Sequence, residues 1–240
     1  MRILITNDDS VNAEQLIPLI RWCQQLGDVT VVVPRFEQSG KSHGIEFHAP
    51  FRVEKVQLED DISAYVVDST PADCVRFAVL GMEMPFDLVI SGINRGFNIG
   101  ADMLYSGTVS AVREAALLGI PGIAFSTSPE YYGKAIEQLP MVWEYMQAHK
   151  LWDIHSIYNV NIPESPKGIR ITRQGGPYYS DDFQPIGNDL YLPKGKPIWE
   201  DRADLNLDTD AALHGYISIS PLTIDRTERS VYDRLSHLNP

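Results

Sequence analysis

Short apolar runs rich in β-branched residues alternate with amphipathic stretches through the first two-thirds of the chain, and this alternation restricts the possible folds more than any other feature. "ILIT" (Ile3 to Thr6), "VTVVVP" (Val29 to Pro34), "SAYVVD" (Ser63 to Asp68), "FDLVISG" (Phe86 to Gly92), "IPGIAFS" (Ile120 to Ser126) and "IYNVNIP" (Ile157 to Pro163) read as strands. Helices are expected between them at Gln15 to Gly27, after Ser69 or Thr70, at Thr108 to Gly119 and from Tyr131 to His149. Ser69 or Thr70 supplies an N-cap hydroxyl just ahead of Pro71, whose fixed φ suits a first helical turn. Strands that are apolar on both faces and separated by helices require a parallel sheet with helices on each side, which is an α/β fold. "FRVEKV" (Phe51 to Val56) falls outside that register and reads as an additional extended piece.

After about Thr172 the periodicity fades into a stretch rich in Gly, Pro, Asp and aromatics. Here "DLYLP" and "KPIWE" are expected to form a two-stranded arm linked through Lys194, Gly195 and Lys196. Tyr178, Tyr179, Tyr191 and Trp199 on such an arm would need another surface, either a second subunit or the arm's own domain. "GYISISPL" returns to strand, and a short polar helix is expected at the end. The 240 residues are therefore read as one unit, an α/β core over 1–172 carrying a C-terminal hairpin, strand and tail over 173–240.

Charge narrows the function. Lys and Arg total 20 against 32 Asp and Glu, a formal charge of −12, with no basic cluster. Such a chain is a poor partner for nucleic acid or a membrane surface. An anionic substrate would have to be met by a metal ion, a helix N-terminus or a few placed donors. The only cysteines, Cys23 and Cys74, sit in apolar helical patterns as buried thiols rather than a disulfide or zinc site. No leader and no bilayer-length apolar run is legible, so a soluble cytoplasmic protein is expected.

Ligands of an open parallel sheet collect at the carboxyl ends of its strands. The first strand delivers Asn7, Asp8, Asp9 and Ser10 there, the second a loop with Ser39, Ser42 and His43, and the fourth a long loop from Ser91 to Ser110. Asp8 and Asp9, with Ser39 and Asn94 as neutral ligands, form an all-oxygen donor set suited to Mg²⁺ or Mn²⁺. The other reading of the acidic pair is a cap on the following helix. Ser106, Gly107 and Thr108 open the helix after the long loop, where free amides and hydroxyls favour a phosphate, though they read equally as an ordinary hydroxyl cap. Gly92, Gly96, Gly100 and Gly107 match neither the dinucleotide nor the P-loop spacing. A cation beside a phosphate cradle specifies metal-assisted hydrolysis of a phosphate monoester, with Asp8 or Asp9 able to serve as base. Ser42 and His43 are candidate substrate contacts, and His43 also reads as an exposed loop residue.

"ILITNDDS", "QSGKSH", "DSTPADCVRFA", "SGINRGFNIGADMLYSGTVSAVREAALLGIPGIAFS", "NVNIP", "TRQG" and "GYISISPL" together resemble the SurE family of 5′/3′-nucleotidases along nearly the whole chain. The resemblance implies a Rossmann-like core and hydrolysis of nucleoside monophosphates to nucleoside and phosphate, with short polyphosphate as a further substrate. It implies one divalent ion per subunit on Asp8, Asp9, Ser39 and Asn94, and phosphate contacts from Asn98, Ser106, Gly107 and Thr108. It also implies a homodimer or tetramer built through the C-terminal arm. Ser10 stands where the family usually has glycine, Gly44 where a hydroxyl is common and Ala115 where glycine is usual, and none of these removes a mapped ligand. A receiver-like signalling domain also carries an acidic pair after its first strand, but it needs an acceptor aspartate where this chain has Ser91-Gly92-Ile93-Asn94. A non-catalytic nucleotide sensor would not need both acidic residues.

Overall fold

The computed structural model describes residues 1–239. In chain order the first elements are β1 (Arg2–Thr6), α1 (Leu16–Cys23), β2 (Asp28–Pro34), β3 (Val53–Glu59), β4 (Ile62–Val67), α2 (Pro71–Arg76), β5 (Leu88–Arg95) and α3 (Gly107–Leu117). Then follow β6 (Gly122–Thr127), α4 (Leu139–Ala148), α5 (Leu151–Ile154), β7 (Ile157–Ile162) and β8 (Ile169–Ile171). The C-terminal part holds β9 (Tyr179–Ser180), β10 (Phe183–Gly187), β11 (Leu190–Pro193), β12 (Lys196–Pro197), α6 (Asp208–Leu213), β13 (Ile217–Pro221) and α7 (Arg229–Leu235). Nine strands form one sheet in the order β3-β4-β2-β1-β5-β6-β7-β13-β8.

From β4 to β7 the pairing is parallel, as strands joined through helices must be. The expected extra segment is β3, which runs antiparallel to β4 at the edge. Alternation along β1 sends Ile3 and Ile5 to one face, with Leu19, Ile20 and Phe125, and Leu4 to the other, with Cys74, Val89 and Ala111. Both faces are therefore dry, and each fully buried Leu or Ile contributes roughly 1.5–3 kcal/mol. Cys23 and Cys74 are buried free thiols within these layers.

The chain runs from β1 outward through β2 to β4, then returns to place β5 on the opposite side of β1. The strand order reverses between β1 and β5, so a crevice opens at their carboxyl ends. That crevice is where Asp8, Asp9 and Asn94 emerge.

Two expectations need correcting. The single helix over Tyr131 to His149 is instead a 3-10 stretch, Pro129–Gln138, followed by α4. Pro140 lacks an amide hydrogen, so a continuous helix breaks there and α4 restarts with the proline in its first turn. The arm also pairs in a different register. β10 pairs with β11 and β9 with β12, so the reversal lies at Asn188-Asp189 rather than at Lys194–Lys196. Asn188 and Asp189 have φ of 52° and 56°, the left-handed pair that a tight two-residue hairpin needs and that Asn and Asp tolerate.

Candidate functional site

β1 delivers its polar end into the crevice through a tight turn. The Asn7 side-chain amide donates to the Ser10 carbonyl at 2.9 Å, and Ser10 takes a φ of 78°. The turn is joined to the loop after β2 by Gln38 N–H donating to the Asp8 carbonyl (2.8 Å) and Val11 N–H donating to that of Pro34 (3.0 Å). Ser39 thus follows a residue bonded directly to Asp8. Its hydroxyl donates to Glu37 at 2.6 Å, which leaves the oxygen's lone pairs for another partner.

Asp8 is buried and accepts a hydrogen bond from the Thr108 hydroxyl, across the crevice at the start of α3. The close approach requires Gly107, because a Cβ there would stand 2.9 Å from the Asp8 Cβ. Asp9 accepts from Arg95 N–H at 3.1 Å, which draws the end of β5 and its Asn94 to the acidic pair. The Asn94 NH₂ donates to the Gly96 carbonyl at 2.7 Å, so its oxygen is what it can offer a cation. The helix-cap reading of the pair fails, since α1 begins only at Leu16 and has no acidic residue in its first turn. Asp8 instead reaches α3, a hundred residues along the chain.

Electrostatics shows what the pair lacks. Burial pushes the Asp8 carboxyl up against the opposing effect of the Thr108 hydroxyl. Burial, with the Asp8 charge second, pushes Asp9 up to about 6. Glu37 acts on both in the same direction and is an acidic neighbour that sequence reasoning missed. Burial, followed by the charge of Asp9, pushes Tyr132 up to about 12. Among the described residues none of Asp8, Asp9 and Glu37 forms an ion pair. The buried Asn7 side-chain oxygen also has no hydrogen-bond partner. A cation meets these needs, and the oxygen-only donors fit a hard divalent ion. No group of three or more His, Cys, Asp or Glu placed to hold a metal ion occurs among the described residues, at the acidic pair or elsewhere.

The Ser106 hydroxyl caps α3 by accepting from Val109 N–H at 3.1 Å, which leaves the amides of Gly107 and Thr108 without intrahelical partners. Asn98 lies behind the crevice in a buried amide network. Its backbone N–H donates to Asn161 (2.8 Å), its NH₂ to Ser126 (2.8 Å), and its carbonyl accepts from Asn159 (2.7 Å) and Asn161 (3.0 Å).

Ser42 and His43 are engaged in clamping the loop. The Ser42 hydroxyl donates to the Leu104 carbonyl at 2.8 Å, and its N–H to that of Tyr105 at 2.9 Å. The His43 Nε2 bonds Glu114 at 2.8 Å, while Arg76 holds the other oxygen of the same carboxylate at 2.9 Å. Burial alone would raise Glu114, but His43 and Arg76 more than offset it and hold the carboxyl below its ordinary value. A second missed residue, Asp208, is fully buried and accepts from the backbone N–H groups of Gly100, Gly175 and Thr209. It ties the long loop to the C-terminal segment.

A family profile described as "Survival protein SurE" matches residues 3–181. The chain is 39% identical over 249 residues to a protein of Petrotoga mobilis named 5′-nucleotidase SurE, covering 98% of each. A protein of the same name from Alkaliphilus metalliredigens is 39% identical over 254 residues, covering 100% of this chain and 99% of that one. The crystal structure of the SurE protein from Aquifex aeolicus superposes with a TM-score of 0.80 at 33% identity, over 99% of both chains.

Proposed function

The chain belongs to the SurE family, and we propose that it is a metal-dependent 5′-nucleotidase that hydrolyses nucleoside monophosphates of the cytoplasmic pool to nucleoside and phosphate. The observation that carries this reading is the contact between Asp8 and Thr108, which sets two unpaired carboxylates against the N-terminus of α3. Asp8, Asp9, Ser39 and Asn94 hold one Mg²⁺ or Mn²⁺ per chain. When bound, the ion supplies positive charge to a phosphoryl oxygen and lowers the pKa of water.

The chain's own groups do the rest. The Ser106 hydroxyl, whose hydrogen is uncommitted, and the amides of Gly107 and Thr108 receive the phosphate at the positive end of α3. Asp8 is fixed by Thr108 and stays an anchoring carboxylate. Asp9 spends one oxygen on Arg95 N–H and has the other left to take a proton from the attacking water. Asn98 is held in place by Ser126, Asn159 and Asn161, and the second hydrogen of its NH₂ is left to donate to the phosphate.

Assembly through the C-terminal ribbon belongs to the same proposal. Phe183, Ile186, Leu190, Tyr191 and Leu192 are exposed on it, a density of apolar side chains that suits a second subunit. No helix among the described residues is long and apolar enough to cross a membrane.

The test is phosphate release by the purified protein from AMP, GMP, CMP and UMP with Mg²⁺ or Mn²⁺. Turnover of at least one nucleotide is expected, and none from any of them would overturn the assignment.

A further inference from the structure

On α3, one turn beyond Val109, Arg113 is only 8% exposed. A guanidinium is seldom buried to that degree unless an anion is held against it. Arg113 forms no ion pair among the described residues, and its Nε is buried without a hydrogen-bond partner. It lines a cavity of about 420 Å³ together with Met103, Leu104, Val109, Leu222 and a second arginine, Arg226. Burial, with the Arg226 charge second, pulls Arg113 down from its ordinary value. Two like charges therefore meet at a space walled largely by apolar side chains. Asp225 lines the cavity as well, but its carboxylate is taken by Thr227 N–H at 2.9 Å and the Arg229 guanidinium at 3.0 Å.

The partner that fits is an oxyanion both guanidinium groups can grip, and the apolar walls call for a carbon body behind it. We propose that this cavity is a second binding site, taking a small organic carboxylate with an apolar chain seated on Arg113 and Arg226. The planar fork of a guanidinium matches the two oxygens of a carboxylate, and the volume lies within the range of small-molecule pockets. The site is distinct from the acidic pair. Met103 and Leu104 belong to the segment that leads into Ser106, and the Leu104 carbonyl takes the Ser42 hydroxyl. An occupant thus touches the support of the phosphate cradle rather than the cradle itself.

The test titrates hexanoate and acetate by calorimetry into the full-length protein with Mn²⁺ and without nucleotide, so it does not depend on the nucleotidase reading. Hexanoate is expected to bind at one site per chain and more tightly than acetate, which has the charge without the body. Arg113→Met keeps an unbranched side chain and removes the charge, and is expected to weaken hexanoate by about tenfold or more. Its Tm without hexanoate is expected to equal or exceed that of the wild type, because an unpaired buried charge is gone. Arg226→Ala, at an exposed position, is expected to weaken hexanoate severalfold, and decides the matter should Arg113→Met fold poorly. Equal affinity in the wild type and both variants would place the carboxylate on the metal and overturn the site. No heat from hexanoate in the wild type would also overturn it. If Arg113→Met then lowered the sedimenting mass, the guanidinium would belong to an acidic side chain of a second copy instead.

Discussion

Ser10 holds a φ of 78° in the turn after the acidic pair. A side chain there is strained, because only glycine adopts the left-handed region freely. The one bond its side chain makes in the turn is a 3.3 Å contact that the hydroxyl accepts from Asn12 N–H. Ser10→Gly is therefore expected to stabilise the protein by about 0.5–1 kcal/mol, read as a rise in Tm. Gly107→Ala is expected to act oppositely, costing about 1–3 kcal/mol and most of the activity, because Asp8 must move away from the new methyl group. Asp9 gives a pH signature. Its carboxyl titrates near 3.8 when unfolded and at about 6 when folded without metal. The native state then binds the extra proton, so its contribution is complete below pH 4 and lost as pH rises through 6. In chelator, Asp9→Asn should gain Tm relative to the wild type between pH 4 and pH 7, and an unchanged difference would contradict this. The acidic pair was legible in the sequence because two adjacent carboxylates at a strand end have few other uses. Glu37 and Asp208 were not, since each gains its meaning from a loop or backbone brought to it only by folding.

Loops at the crevice are held by elements whose own sequence says little about the task. The His43–Glu114–Arg76 cluster joins the loop after β2 to α2 and α3, with the Glu114 side chain almost wholly buried. Glu114→Ala would leave the Arg76 guanidinium and the His43 ring without their shared carboxylate, at a cost of about 2–3 kcal/mol. The denaturant midpoint should fall, and trypsin should cut faster at the exposed Lys41 in the freed loop. An unchanged cleavage rate would argue against the clamp. Strand positions were legible because apolar runs on both faces have one solution in a parallel sheet. The hairpin register was not, because "DLYLP" and "KPIWE" pair acceptably on paper. Only the positive φ of Asn188 and Asp189 fixes where the chain turns back. Likewise, the apolar periodicity from Tyr131 onward hid the change from 3-10 to α geometry at Pro140.

The molecule as a whole brings the candidate site to the point where the sheet order reverses, and leaves the apolar side chains of its ribbon exposed. Phe183 and Tyr191 are 62% and 63% exposed, more than a single chain gains from leaving in water. Replacing Leu190 and Tyr191 together by Asp is expected to lower the sedimenting mass to that of the monomer, and an unchanged mass would contradict assembly through the ribbon. The proposed dependence of turnover on a metal is tested by titrating Mn²⁺ into chelator-stripped wild-type and Asp8→Asn protein, with heat of binding and phosphate release from AMP followed on the same samples. One ion per chain, activity rising in step with occupancy, and neither binding nor turnover in Asp8→Asn is the predicted result. Phosphate release that persists in the stripped protein, or an Asp8→Asn variant as active as the wild type, would contradict it.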